Sequence, residues 1–149
     1  MRRFAAVILG LAMVAGAMVI LNVGANLGQP STMNAMATHA PIRINSNADF
    51  DAAHGVSAGS GIASDPWIIE NWDIDGTGYG YCIFVGNTTE HFAVRSCILH
   101  HPSGYSNPFY WDAGIGMYTV QNGSVTGNNV TYSTRGITLE DSNNCTFFS

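Results

Sequence analysis

The 149 residues include ten acidic and five basic side chains, the latter all arginine, for a formal net charge of −5. All ten acids but only three arginines lie beyond position 40, a net of −7 there, which argues against an electrostatic nucleic-acid binder. An acidic, lysine-free surface rich in Asn, Thr and Ser suits an exterior exposed to salt or carrying glycans.

At the start of the chain, Arg2 and Arg3 precede an uncharged apolar run from Phe4 to Leu21, followed by the small and polar stretch "NVGANLGQPSTMNAMATHA". Basic start, apolar middle and small-residue exit are the order of a secretory signal, with cleavage after Ala25 or Ala37. At 18 residues the run also reaches the length of a membrane span, so retention as an N-terminal anchor is the alternative. The arginines adjoin Phe4 directly, which fits general secretion better than twin-arginine export. Residues 1–25 are expected to be a signal peptide or anchor and 26–41 a linker. Either way the remainder is secreted or at the cell surface, touching membrane only through its N-terminal segment.

Beyond residue 40 a six-residue apolar pattern returns: Ile69, Trp72, Ile74; Val94, Cys97, Leu99; Val125, Asn128, Val130; then Phe147. Its first positions are 25, 31 and 22 residues apart, the spacing of a solenoid. A second register of alternating apolar pairs, Ile83 and Val85, Ile115 and Met117, Ile137 and Leu139, repeats at 32 and 22 residues. Short period-2 segments separated by Gly, Asn, Ser and Asp are strand and turn chemistry, and two strands per turn are expected. No helical apolar stripe of useful length appears after residue 40. The fold class is therefore all-β, stacked in about three coils plus an incomplete one over residues 67–149.

In such a stack, corner positions need residues that tolerate left-handed backbone or hydrogen-bond their own turn. Asn128, Asn129, Asn143 and Asn144 suit those corners, beside Gly127 and Gly136. Four Asn-x-Ser/Thr sequons occur, at Asn87, Asn122, Asn129 and Asn144. Asn87 and Asn122 are the better glycosylation candidates, the other two being expected as buried corner residues. Cys82, Cys97 and Cys145 read first as small buried apolar groups, with a Cys82–Cys97 disulfide or metal ligation as alternatives. There is no CxxC pair, and the adjacent His100 and His101 lack the separated spacing of a structural zinc site. No metal site is expected, and calcium on Asp73 and Asp75 is only a lesser reading because a dense oxygen-donor loop is missing.

The longest interval in the repeat contains "HHPSGYSNPFYWDAG", residues 100–114, which reads as an inserted loop. Its Tyr105, Phe109, Tyr110 and Trp111 are the aromatic faces on which sugar rings or protein partners pack, near Tyr79 and Tyr81 if successive coils stack in phase. For catalysis the candidates are Asp73 and Asp75, an i, i+2 pair on one strand face, with Arg95 on the next coil. Asp112 and Glu140–Asp141 are further acids. Asp75–Gly76 is more often turn chemistry, a strand running into a turn.

Residues 55–101 together with "GITLEDSNNCTFFS" resemble the opening coils of right-handed parallel β-helix repeat proteins. The Gly59-Ser60-Gly61 turn, Asp65-Pro66 leading into the first strand, and "GITLEDSNN" carry the likeness. It is nearest to archaeal surface and secreted proteins grouped with NosD-like and with carbohydrate-binding or sugar-hydrolase β-helix domains. The resemblance implies an opening strand and N-terminal cap over 42–66. It is specific for fold and poor for activity, since the repeat encodes coil geometry. The functions it leaves open are a non-catalytic surface module binding glycans or cell-surface proteins, part of a polysaccharide lyase or glycoside hydrolase, and a copper-associated periplasmic factor. For the last, His100, His101 and Met117 are the soft ligands in view. Further coils of the same chain are an expected partner of the last one.

Overall fold

The computed structural model describes residues 35–104 and 112–148. The expected signal or anchor segment, the first part of the linker and the four aromatics Tyr105, Phe109, Tyr110 and Trp111 lie outside the described residues. Among those described, no helix is long and apolar enough to cross a membrane.

The described chain is mostly strand: β1 (Ala37–Thr38), β2 (Ile42–Ile44), β3 (Val56–Ala58), β4 (Trp67–Glu70), β5 (Trp72–Thr77), β6 (Tyr81–Thr88) and β7 (Phe92–Arg95). There follow β8 (Ile98–Ser103), β9 (Ala113–Val120), β10 (Gly123–Thr126), β11 (Asn129–Thr131), β12 (Arg135–Glu140) and β13 (Thr146–Phe148). They form three sheets, ordered β1-β5-β8-β11, β3-β4-β7-β10-β13 and β2-β6-β9-β12, here called sheets I, II and III. From β4 onward the chain visits sheet II, then I, then III, three times over, and enters sheet II again with β13.

Within each sheet the pairing is parallel, apart from β3 on β4, and residues of equal role stand opposite one another. In sheet II, Ile69, Val94, Val125 and Phe147 align. In sheet I, Ile74, Leu99 and Val130 align. In sheet III, Ile42, Ile83, Ile115 and Ile137 form one row and Ile44, Val85, Met117 and Leu139 another. Both apolar registers read from the sequence are thus pairing registers. Strand alternation sends these rows to one side of their sheets, where all but the outermost members Ile137, Leu139 and Phe147 join one core with Phe92, Cys82 and Cys97.

Where two strands per repeat are expected, each repeat contributes three, one to each sheet. The run from Ile69 to Ile74 is two strands broken at Asn71, and the equivalent breaks fall at Ser96 and Gly127, all with left-handed backbone (φ 60°, 53° and 59°). A second set of left-handed corners ends sheet III at Asn87, Thr119 and Asp141. Of the four asparagines expected at corners, only Asn144 has positive φ. Asn128 works through its side chain: Oδ1 accepts from the Cys97 N–H and Nδ2 donates to the Val94 carbonyl, both at 2.9 Å. It bridges two layers where the backbone ladder is interrupted.

The segment before β4 covers one end of the core. β1, within the region expected as linker, pairs with β5 on the edge of sheet I, and β2 pairs with β6 on the edge of sheet III. Phe50 lies between two short 3₁₀ turns, 6 % exposed, with its ring stacked 5.9 Å from Trp67 and tilted against Phe92. The Trp72 indole N–H donates to the Gly55 carbonyl at 2.8 Å. Gly59 is required at its position: φ is 101°, and a Cβ would stand 2.0 Å from the Pro66 carbonyl oxygen.

Candidate functional site

Strand alternation buries Ile74 and turns Asp73 and Asp75 to the outer face of sheet I. The next layer places His100 opposite Asp75 and Ile98 opposite Asp73. His100 leans diagonally, so that its Nε2 lies 2.9 Å from Asp73 Oδ1 and its Nδ1 lies 4.0 Å from Asp75 Oδ2. His101 follows with left-handed backbone (φ 54°), which brings its ring edge-on to that of His100 with the two Nδ1 atoms 2.9 Å apart. The ring of Tyr132, at the equivalent corner one layer on, stacks on His101 at 4.7 Å and 11°. Thr77 donates to Asp75 Oδ1 through its hydroxyl (2.7 Å) and its N–H (2.9 Å). These bonds hold the Asp75 carboxyl below the usual carboxylate range.

Asp73, Asp75, His100 and His101 therefore form one outward-facing cluster. The sequence reading found the aspartate pair but set the two histidines aside because they are adjacent rather than spaced. The relevant spacing runs between layers: the 25-residue interval from Ile69 to Val94 carries Asp75 onto His100. Calcium fits poorly here, because Asp73 Oδ1 serves His100, Asp75 Oδ1 serves Thr77, and nitrogen donors fill the remaining side. Met117 lies in the core, 2 % exposed, on sheet III. It is not part of this cluster, so the soft-ligand set of His100, His101 and Met117 is not assembled.

Arg95 does not join the aspartates. It lies on sheet II, its Nε 2.7 Å from Glu70 Oε2 across the β4–β7 pair. There it edges a shallow groove on the outer face of sheet II. Ile68, Ala93, Ser124 and Thr146 stand in one row as the floor, and Asn122 lies along a side. Asp112 and the Glu140–Asp141 pair fall elsewhere, at the start and end of the β9 and β12 layers of sheet III.

Of the sequons, Asn87 is exposed and donates to Asn45 Oδ1 at 3.0 Å. Asn122 is half-buried and committed at both ends of its amide, donating to the Thr89 carbonyl at 3.0 Å and accepting from Asn144 Nδ2. Asn129 and Asn144, expected to be buried, are exposed. Between β8 and β9 the connection spans 104–112, since His100 to Ser103 belong to β8. Its first residue, Gly104, adjoins Gly78, and Tyr79 beside it is 48 % exposed, whereas Tyr81 is 6 % exposed. All three cysteines are free thiols; Cys82 and Cys97 are buried and Cys145 is partly so.

Comparison with known protein families, curated proteins and solved structures finds no match to this chain.

Proposed function

We propose that the chain forms an exported right-handed parallel β-helix, akin to the NosD-like and carbohydrate-binding type, and that it binds glycans at the cell surface without cleaving them. The rotation of strands through three parallel sheets supports the helix reading, and right-handed crossover is the rule for parallel strands. The observation that carries the function is the groove on sheet II. Its floor of Ile68, Ala93, Ser124 and Thr146 runs across successive layers, so an extended polymer has a track, with Arg95, His91 and Ser124 as hydrogen-bonding groups. The aromatics Tyr105, Phe109, Tyr110 and Trp111, with exposed Tyr79 at the root of their segment, add stacking faces for sugars or for neighbouring surface proteins.

What favours binding over hydrolysis is the carboxylates. Glycosidic cleavage uses two carboxyl groups, one kept protonated by a raised pKa. None lines this groove among the described residues, and Asp75 is shifted the opposite way. In affinity electrophoresis through a panel of polysaccharides, at least one polymer is expected to retard the protein. Ser124→Trp, which fills the groove without entering the core, weakens that retardation at least tenfold, and no reducing ends appear. Retardation by none of the panel, or release of reducing sugar by purified protein, overturns the reading.

A further inference from the structure

We propose that His100 Nδ1, His101 Nδ1 and Asp75 Oδ2 bind a divalent first-row transition ion on the outer face of sheet I, with Asp73 as the positioning residue behind His100. The sugar-binding groove lies on a different sheet, so this site stands apart from the function proposed above.

Three features converge. First, Asp73 takes the N–H of His100 at Nε2, which leaves Nδ1 as a lone pair; a carboxylate behind an imidazole is the usual support of a metal-binding histidine. Second, that lone pair faces another imidazole nitrogen at 2.9 Å. Two like ring nitrogens make this contact only if a proton or a cation lies between them. The separation is that of two ligands at a right angle on an ion whose nitrogen bonds are about 2.0–2.1 Å. Third, Thr77 occupies Asp75 Oδ1 and leaves Oδ2 as the oxygen turned to His100, 4.0 Å from Nδ1, and the three donor atoms lie within 4.8 Å of one another. Two imidazoles and one carboxylate suit Zn²⁺, Ni²⁺ or Cu²⁺ and disfavour Ca²⁺ and Mg²⁺. Three protein ligands leave a position open to water or to an external donor.

The fold holds the donors in place. The β5–β8 pairing sets Asp75 against His100, the left-handed backbone at His101 turns its ring back, and Tyr132 stacks on its far face.

The test is equilibrium dialysis of the untagged full chain against Zn²⁺, without polysaccharide, followed by elemental analysis. One ion per chain is expected, with coordination shifts confined to the Nδ1 resonances of two histidines in ¹⁵N NMR. His101→Gly, which suits the left-handed backbone, abolishes retention, and Asp73→Asn weakens it about 10–100-fold. The triple variant His39→Ala, His54→Ala, His91→Ala keeps one ion. The proposal is overturned if no ion is retained, if the triple variant loses it, or if His101→Gly retains it with unchanged affinity. Since no glycan is present, none of these results depends on the groove.

Discussion

Cys82 lies in β6 with no exposed surface, its Sγ 3.4 Å from the His100 carbonyl, beneath the face that carries the histidine cluster. Removal from water pushes its thiol up to about 12, more than the hydrogen bonds to the His100 and Gly76 backbone bring it down. Burial likewise raises Cys97. A thiolate is the nucleophile, so both sites are protected twice, by exclusion of the reagent and by protonation. Iodoacetamide at pH 9 is expected to modify Cys145 in the native protein and to spare Cys82 and Cys97, with all three reacting once the chain is unfolded. Peptide mass mapping reads this directly, and native labelling of Cys82 would contradict its placement. The raised folded value also has a stability consequence. Its contribution is present below the unfolded thiol's ordinary value near 9 and is lost as pH climbs toward about 12. The reading of these cysteines as small buried apolar groups came from Cys97 occupying a repeat position. Nothing local to Cys82 distinguished it in the sequence except its place one residue before Ile83.

Rows of equivalent residues are the elements' main source of stability, and their ends differ from their middles. In the row Ile42, Ile83, Ile115 and Ile137, exposure is 1 %, 0 %, 0 % and 40 %. Ile83→Ala is expected to cost about 2–5 kcal/mol through lost burial and the cavity left behind, whereas Ile137→Ala, with one open side, costs about 1 kcal/mol or less. Urea unfolding of the two variants compares them; equal losses would mean that the row is not stacked as described. This row was legible because Ile83, Ile115 and Ile137 recur with their partners Val85, Met117 and Leu139. The division of Ile69–Ile74 into two strands was not legible. Its corner is made by Asn71, Ser96 and Gly127; asparagine and glycine both tolerate left-handed backbone, but Ser96 carries no such signal, so the three do not read as one corner. The histidine cluster was half legible. Asp73 and Asp75 share a face by simple alternation, but their meeting with His100 needs the layer-to-layer interval applied to polar residues as it was to apolar ones. The positive φ that aims His101 has no sequence signal.

The two ends of the stack are built differently. At one, β3 lies antiparallel on β4, and Phe50 closes over Trp67 and Phe92. The antiparallel strand and the aromatic lid break the repeat on sheet II, while the short parallel strands β1 and β2 end sheets I and III. At the other, β11, β12 and β13 are the outer strands of all three sheets. Their row positions, buried in the layer before, stand open: Ile137 at 40 %, Leu139 at 44 % and Phe147 at 41 %, with Phe148 beside them at 65 %. Val125, Val130, Ile137, Phe147 and Phe148 line a single apolar depression on this face. Apolar side chains and unpaired strand edges together favour addition of another layer by a second molecule. The 149-residue chain in isolation is therefore expected to self-associate in a concentration-dependent manner in sedimentation velocity. Leu139→Lys with Phe147→Lys returns it toward monomer, since each charge would be buried in the contact. Ile62→Lys is the control: Ile62 is 56 % exposed but lies near the closed end, beside the β3–β4 edge, so it leaves association unchanged. A monomer at every concentration, or equal relief by Ile62→Lys, would place the adhesive surface elsewhere and remove the argument that this layer is built to be covered.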